Sequence, residues 1–124
     1  KLLSVRRSGS TVACEFSMTN NGPDLSNVDL SNSTNTYAYD NEGGYYTYGM
    51  GTYNMTLTLA GSTKDGGSFI RKPFPSGVTM KCEIKFLDVP TSVTSFTNIT
   101  MYIRTYASSW EFDNEHIVIK NLEI

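Results

Sequence analysis

The feature that most constrains this chain is a strict alternation of apolar and polar side chains, repeated along several segments. In the clearest example, from Val78 to Phe86, every second residue is apolar and the residues between are threonine, lysine or glutamate. Neighbouring side chains of a β-strand point to opposite faces, so this period places one face in a core and the other in water. Segments 11–18, 52–59 and 98–106 repeat the pattern. The alternation therefore predicts strands, and no segment carries the 3.6-residue period of a helix.

Turn-forming residues separate the alternating segments. Clusters of glycine, proline, asparagine and aspartate occur at 20–23, 40–44, 64–67 and 73–77, and such residues favour tight turns. Further short strands are expected at 2–6, 25–30, 36–39, 44–48 and 115–124. About seven to nine short strands with regular turns are typical of an all-β, antiparallel, immunoglobulin-like β-sandwich, with a small closed barrel as the alternative. The length of 124 residues predicts one domain, residues 1–124.

Composition narrows the partners and the compartment. The net charge is −2, with 10 basic and 12 acidic residues. The chain therefore lacks the excess of basic residues that is typical of proteins that bind nucleic acid. No apolar run is long enough to span a membrane. Serine, threonine and asparagine make up 39 of the 124 residues, a surface chemistry associated with secreted and cell-surface β-domains. An extracytoplasmic location is therefore expected.

The two cysteines each lie in the middle of a predicted strand. Cys14 and Cys82 are in phase with the apolar residues of their own strands, so both side chains should point into the core. A disulfide between them would stabilise the fold by roughly 4 kcal/mol in the chain-entropy model. Two free buried thiols, acting as small apolar groups, are the alternative. The sequence leaves both open.

The motifs of common enzyme classes are absent. The sequence has no nucleophile elbow, no Walker-type loop and no dinucleotide-binding glycine motif. Its single histidine, His116, is expected on the outer side of the last strand. Asp40–Gly44 resembles part of a calcium loop but lacks the spaced ligands, so a hairpin turn is the preferred interpretation. No catalytic activity, cofactor or metal is expected.

Clustered aromatic residues are the most unusual feature. Six of the eight tyrosines lie between Tyr37 and Tyr53, and the only tryptophan, Trp110, is in a separate loop. Exposed tyrosine and tryptophan provide rigid contact area with a polar tip, which suits sugars or protein partners. The candidate ligand-binding residues are Tyr45, Tyr46, Tyr48 and Trp110. In the alternative interpretation, inward-facing rings fill the core and outward-facing rings only cover the sheet.

Several segments together carry a resemblance to a known group of domains. The strand ending in Thr19-Asn20, the hairpin at 39–46, the stretches 77–84 and 99–103, and the closing segment 121–124 are similar to immunoglobulin-like or telokin-like β-sandwich domains of unknown function from secreted and lipid-anchored bacterial proteins. The resemblance implies an extracytoplasmic bacterial domain, tethered by a lipid anchor upstream of Lys1, and it implies no catalytic residues.

The function expected from these observations is a non-catalytic extracytoplasmic binding or structural module that recognises a protein or the cell surface. A carbohydrate-binding module that uses surface tyrosine and tryptophan side chains is the alternative.

Overall fold

The computed structural model describes residues 1–30, 35–47, 54–64 and 69–124. These ranges form strands joined by turns and contain no α-helix. The strands are β1 (Leu2–Ser8), β2 (Thr11–Thr19), β3 (Leu25–Leu30), β4 (Tyr37–Asp40), β5 (Tyr45–Thr47), β6 (Met55–Leu59), β7 (Ser62–Lys64), β8 (Ile70–Phe74), β9 (Thr79–Phe86), β10 (Ser95–Tyr106) and β11 (Phe112–Glu123).

The strands form two antiparallel sheets. The first sheet has five strands in the order β1-β2-β9-β6-β7, and the second has six, in the order β5-β4-β10-β3-β8 with β11 also paired to β10. β11 follows one side of β10 over its whole length. β4 and β3 share the other side, where they pair with the first and second halves of β10. Between them, the Thr36 hydroxyl accepts a hydrogen bond of 3.0 Å from the backbone N–H of Tyr102.

The inner faces of the two sheets meet in a single core. The ring of Phe86, from the first sheet, lies 4.3 Å from the ring of Phe96 and 5.5 Å from the ring of Tyr46, both from the second sheet. Alternate residues of β2, β6 and β9 are buried as their sequence pattern predicts. The all-β antiparallel sandwich expected from the sequence is therefore confirmed.

The structure contains more strands than the sequence predicted. β7 and β8 extend into the segments 64–67 and 73–77, where the sequence predicted turns, and β8 contains Pro73. Proline is accepted in a strand at the edge of a sheet, where its missing N–H is not required. β8 is at such an edge, which explains why a proline-rich segment forms a strand.

An irregularity near the start of β10 and the end of β11 exchanges the inward-facing and outward-facing positions of these two strands. Ile99 and Met101 point into the core, and the alternation would turn Phe96 outward, yet Phe96 is fully buried. The pairing of β10 with β4 shifts between Phe96 and Asn98, and Asn121 on β11 has a positive φ of 52°. This bulge allows both Phe96 and Leu122 to face the core.

Arg7 links β1 to the loop between β9 and β10 through hydrogen bonds. Its guanidinium donates hydrogen bonds to the carbonyl oxygens of Val93 (2.7 Å), Val89 (3.1 Å), Pro90 (2.5 Å) and Gly9 (3.1 Å). The planar guanidinium can satisfy several carbonyl groups at once. This side chain therefore has a structural role.

Candidate functional site

Exposed aromatic side chains gather on the outer face of the second sheet. Tyr39 and Tyr45 are 42% and 44% exposed on β4 and β5, and Phe112 is 50% exposed on β11. The outer face of the first sheet instead carries charged pairs, including Lys81 with Glu15 at 4.0 Å. We call the outer face of the second sheet the aromatic face; its aromatic residues are Tyr37, Tyr39, Tyr45, Phe69, Tyr102, Tyr106 and Phe112.

Three tyrosines form a cluster at one end of the aromatic face. The ring of Tyr39 lies 5.1 Å from that of Tyr45 and 6.1 Å from that of Tyr37, and the Tyr37 and Tyr45 rings are 6.4 Å apart. Tyr39 and Tyr45 occupy directly opposed positions of the β4–β5 hairpin. Cross-strand aromatic pairs of this kind stabilise a hairpin. We refer to these three residues as the tyrosine cluster.

A row of arginine and aromatic side chains crosses the other end of the same face. The guanidinium carbon of Arg71 lies 4.9 Å from the ring centre of Phe69 and 5.0 Å from that of Tyr106. The guanidinium carbon of Arg104 lies 4.5 Å from the ring centre of Phe112. The Tyr106 and Phe112 rings are 5.8 Å apart. These distances permit cation–π attraction in all three arginine–ring pairs, and the five residues form what we call the arginine–aromatic row.

The buried carboxylate of Asp29 fixes one end of this row. Arg71 donates two hydrogen bonds to Asp29, from Nε to Oδ1 at 2.7 Å and from the second guanidinium nitrogen to Oδ2 at 2.9 Å. Such paired hydrogen bonds set the orientation of the guanidinium plane. The hydrogen bond with Asp29 raises the pKa of Arg71 above its usual range. Because the side chain of Arg71 is still 44% exposed, a fixed cation is presented to solvent.

Arg104 is held by neutral groups. Its Nε donates to the Asn114 side-chain oxygen at 2.7 Å, and a terminal nitrogen donates to the Tyr102 hydroxyl at 3.2 Å. The neighbouring hydroxyls of Tyr106 and Tyr102 raise the pKa of Arg104. His116 packs edge-to-face on Tyr102 with ring centres 5.2 Å apart. No carboxylate forms an ion pair with Arg104 among the described residues.

Tyr46 does not belong to this surface, which corrects its place among the ligand-binding candidates. It is only 3% exposed, and its hydroxyl donates a hydrogen bond of 2.8 Å to Oδ2 of buried Asp40. Burial, together with this hydrogen bond, raises the pKa of Tyr46. Its neighbour Tyr45 points outward, as the alternation of a strand requires. Tyr48 and Tyr53 lie outside the described residues.

The Asp40–Gly44 segment is the hairpin turn that the sequence predicted. Oδ1 of Asp40 accepts hydrogen bonds from the backbone N–H groups of Glu42 and Gly44, both at 2.8 Å. A Cβ at Gly44 would collide with the Asp40 carboxylate, so the turn requires glycine there. The carboxylate is used inside the turn and faces away from solvent. Its role is therefore structural.

Trp110 is exposed but is separate from the tyrosine cluster. It is 88% exposed in the turn between β10 and β11. Tyr37 pairs with Thr100, whereas the turn follows Tyr106, so the strand geometry separates the two by about 20 Å. Trp110 instead lines a shallow groove of about 310 Å³ with Glu111 and Phe112. Of the four candidates of the sequence analysis, the three that the structure describes, Tyr45, Tyr46 and Trp110, therefore do not form one site.

Cys14 and Cys82 are free, buried thiols. They lie on adjacent strands of the first sheet, where Cys14 is opposite Ile84 and Cys82 is opposite Phe16. This diagonal placement separates their Cα atoms by roughly 7–8 Å, beyond the usual reach of a disulfide. Burial raises the pKa of both thiols to about 12. Of the two alternatives left open by the sequence, the structure has the free thiols.

Sequence reasoning identified the tyrosines but missed the arginine–aromatic row. The alternation of β10 predicted that Tyr102 and Arg104 face outward. The partners Phe112 and Asn114 could not be assigned, because they depend on the register between β10 and β11. The pairing of Asp29 with Arg71 joins residues that are 42 positions apart, and no local pattern indicates it.

No family model, curated protein or solved structure matches this chain. Within residues 1–30, 35–47, 54–64 and 69–124, no helix has the length and apolar character needed to cross a membrane. The same ranges hold no group of three or more histidine, cysteine, aspartate or glutamate side chains placed to share a metal ion.

Proposed function

We propose that this chain is a non-catalytic extracytoplasmic binding module that recognises a protein partner through the aromatic face. The observation that carries the proposal is the concentration of exposed aromatic rings and two oriented arginines on one sheet face. Tyrosine, phenylalanine and arginine are enriched in protein–protein interfaces. Arginine side chains already held in place lose less conformational entropy on binding than free ones. The arginine–aromatic row is therefore suited to be the centre of an interface.

The charge of the row favours an acidic partner. Asp29 neutralises Arg71, whereas Arg104 is held by the uncharged Asn114 and Tyr102 side chains. A carboxylate of a partner can approach the remaining donors of Arg104 while an apolar group packs on Phe112. The favoured ligand is thus a protein segment that combines an acidic residue with an aromatic or aliphatic one.

The compartment belongs to the same proposal. The polar, weakly charged composition and the resemblance to immunoglobulin-like or telokin-like domains of bacterial secreted and lipid-anchored proteins support an extracytoplasmic location. A lipid anchor upstream of Lys1 would place the aromatic face at a cell surface. Recognition at such a surface requires no catalytic group, which agrees with a binding or structural role.

Peptide display tests the protein-binding proposal directly. A random peptide library is selected on the immobilised chain, and the enriched peptides are measured against the Arg104→Ala/Phe112→Ser variant. We expect enrichment of acidic-aromatic peptides and a loss of their binding in the variant. A matched control, Lys81→Ala/Lys85→Ala, changes the outer face of the first sheet and should retain binding. Peptides that bind all three proteins equally would contradict the proposal.

Glycan recognition by the tyrosine cluster is the second candidate. Tyr39 and Tyr45 are both more than two-fifths exposed, and their rings are inclined by 44°, an arrangement that can contact successive sugars of a twisted chain through CH–aromatic packing. A glycan array distinguishes the two candidates. Binding that is lost in Tyr39→Ala/Tyr45→Ala and retained in Arg104→Ala/Phe112→Ser would identify a carbohydrate module.

A further inference from the structure

The edges of the two sheets differ in their protection against further strand pairing. Unpaired edges are usually short, charged, bulged or interrupted by proline. β5 and β7 have three residues each, β8 contains Pro73, and β1 has a register shift between Leu2 and Ser4. β11 is different, because its residues 112–120, which precede the irregular Asn121, form nine regularly paired positions of a strand whose second side has no pairing strand among the described residues.

The pairing of β11 with β10 determines which backbone groups of β11 face its open side. The backbone N–H of Ala107 donates to the carbonyl of Glu111 at 2.9 Å. Residues of an antiparallel pair alternate between bonding the partner strand and facing away from it. The backbone groups of β11 that face the open side are therefore those of Phe112, Asn114, His116, Val118 and Lys120. The N–H of Tyr102, opposite His116, does face away from β11, toward Thr36.

The centre of the open edge is apolar. Val118 is 50% exposed on the aromatic face, and Ile117 and Ile119 are half-buried at the margin of the core. The segment between Glu115 and Lys120 contains no aspartate, glutamate, lysine or arginine. A regular, hydrogen-bonding edge with an apolar centre fits an added strand.

We propose that two copies of this chain associate through antiparallel pairing of β11 with β11, centred on Val118. This register places Val118 opposite Val118 of the second copy and Ile117 opposite Ile119. The apolar residues 117–119 of the two copies therefore contact each other. Centring the pair on His116 or Ile117 would place the Glu115 carboxylate opposite an isoleucine. In the proposed register Asn121 lies at the margin, opposite Glu115. A shift in the other direction moves Asn121 opposite Ile117 or Ile119, and its positive φ of 52° departs from the strand geometry needed there.

The symmetry of this pairing has a consequence for binding. A two-fold axis between antiparallel neighbours runs perpendicular to the sheet, so the two aromatic faces lie on the same side of one continuous sheet. The dimer would then present two binding faces to a single surface that carries several ligand molecules, and such bivalent binding raises the apparent affinity without new contacts. This consequence depends on the proposed function, whereas the pairing itself does not.

Sedimentation velocity of the full chain, from micromolar to millimolar concentration, tests the pairing. We expect a monomer–dimer equilibrium, and a dissociation constant that is raised roughly tenfold or more by Val118→Lys, which places two lysines opposite each other and removes apolar contact. Leu3→Lys makes the same kind of change at an exposed position on β1 and should leave the equilibrium unchanged. A parent chain that stays monomeric, or a dimer that Val118→Lys does not weaken, would overturn the proposal.

Disulfide trapping tests the register without relying on a destabilising charge. In the proposed pairing the two copies of Val118→Cys face each other and should cross-link under mild oxidation. The two cysteines of His116→Cys would be four residues out of register, about 13 Å apart along the strands, and should not. The parent chain is the negative control, because its two cysteines, Cys14 and Cys82, are buried and should not cross-link. Cross-linking of His116→Cys in preference to Val118→Cys would overturn the register.

Discussion

The buried carboxylate of Asp40 organises the hairpin between β4 and β5. It accepts two backbone hydrogen bonds of the turn and one from the Tyr46 hydroxyl. Tyr46 thereby enters the core with a satisfied hydroxyl, and Tyr45 is left on the aromatic face. The alternation of the sequence predicts that these two tyrosines point in opposite directions. It does not predict which one is buried, because that depends on a carboxylate inside the fold.

The hydroxyl of Tyr46 should contribute measurably to stability. Tyr46→Phe removes its hydrogen bond to Asp40 and leaves the carboxylate with two backbone donors. Since a hydrogen bond to a charged group contributes about 1.5–3 kcal/mol, we expect the free energy of unfolding in urea to fall by about 2 kcal/mol. Tyr45→Phe, which changes an exposed hydroxyl, serves as the control and should cost less than about 0.5 kcal/mol. Equal effects in the two variants would contradict the assigned positions.

The two buried thiols should make stability depend on pH in the alkaline range. Burial raises the pKa of Cys14 and Cys82 from 9.0 to about 12, so the unfolded chain loses these protons at lower pH than the folded chain. Their contribution is complete below pH 9 and is lost as the pH rises toward 12.

Urea unfolding at a series of pH values checks this dependence. Other groups titrate in the same range, so the measurement compares the parent with Cys14→Ala/Cys82→Ala. We expect stability to fall less steeply with pH in the variant between pH 9 and 10.5, whatever the offset caused by the lost thiols. Identical slopes would mean that the thiols ionise equally in the two states.

At the scale of single elements, β10 shows what the sequence can predict. Its alternation correctly gives Ile99, Met101 and Ile103 as inward-facing. The bulge that returns Phe96 to the core has no signature in the alternation, because it arises from Asn121 on β11 and from the pairing with β4. Local periodicity thus predicts a strand and its faces, whereas departures from it depend on neighbouring strands.

Arg7 is a second case in which a distant contact decides the role of a residue. Arg7→Met removes hydrogen bonds to the carbonyl groups of the 88–94 loop, and we expect unfolding free energy to fall by about 1–3 kcal/mol. The adjacent Arg6 is exposed and only pairs with Glu83 at 3.8 Å, so Arg6→Met should change stability by less than about 0.5 kcal/mol. Chemical denaturation of both variants makes the comparison. An unchanged free energy of unfolding in Arg7→Met would contradict the structural role of Arg7.

At the scale of the whole molecule, the aromatic face is assembled from segments that are far apart in the chain. Tyr37 to Tyr45 form one hairpin, and their clustering was visible in the sequence. Arg71, which also packs on Phe69, reaches Tyr106 only because β8 and β10 both pair with β3. The sequence therefore predicted the fold class and one part of the surface, and the sheet order determined the rest.

The core between the sheets should make the domain unfold as a unit. Phe86 is fully buried and contacts Phe96 and Tyr46 across the sandwich, so Phe86→Ala should lower the free energy of unfolding by about 3–5 kcal/mol. Phe112→Ala removes the same ring from an exposed position and should cost less than about 1 kcal/mol. Urea unfolding followed by far-ultraviolet and near-ultraviolet circular dichroism should give coincident transitions. Two separate transitions in the parent would show that the sheets unfold independently, and the packing of Phe86 on Phe96 would then not couple them.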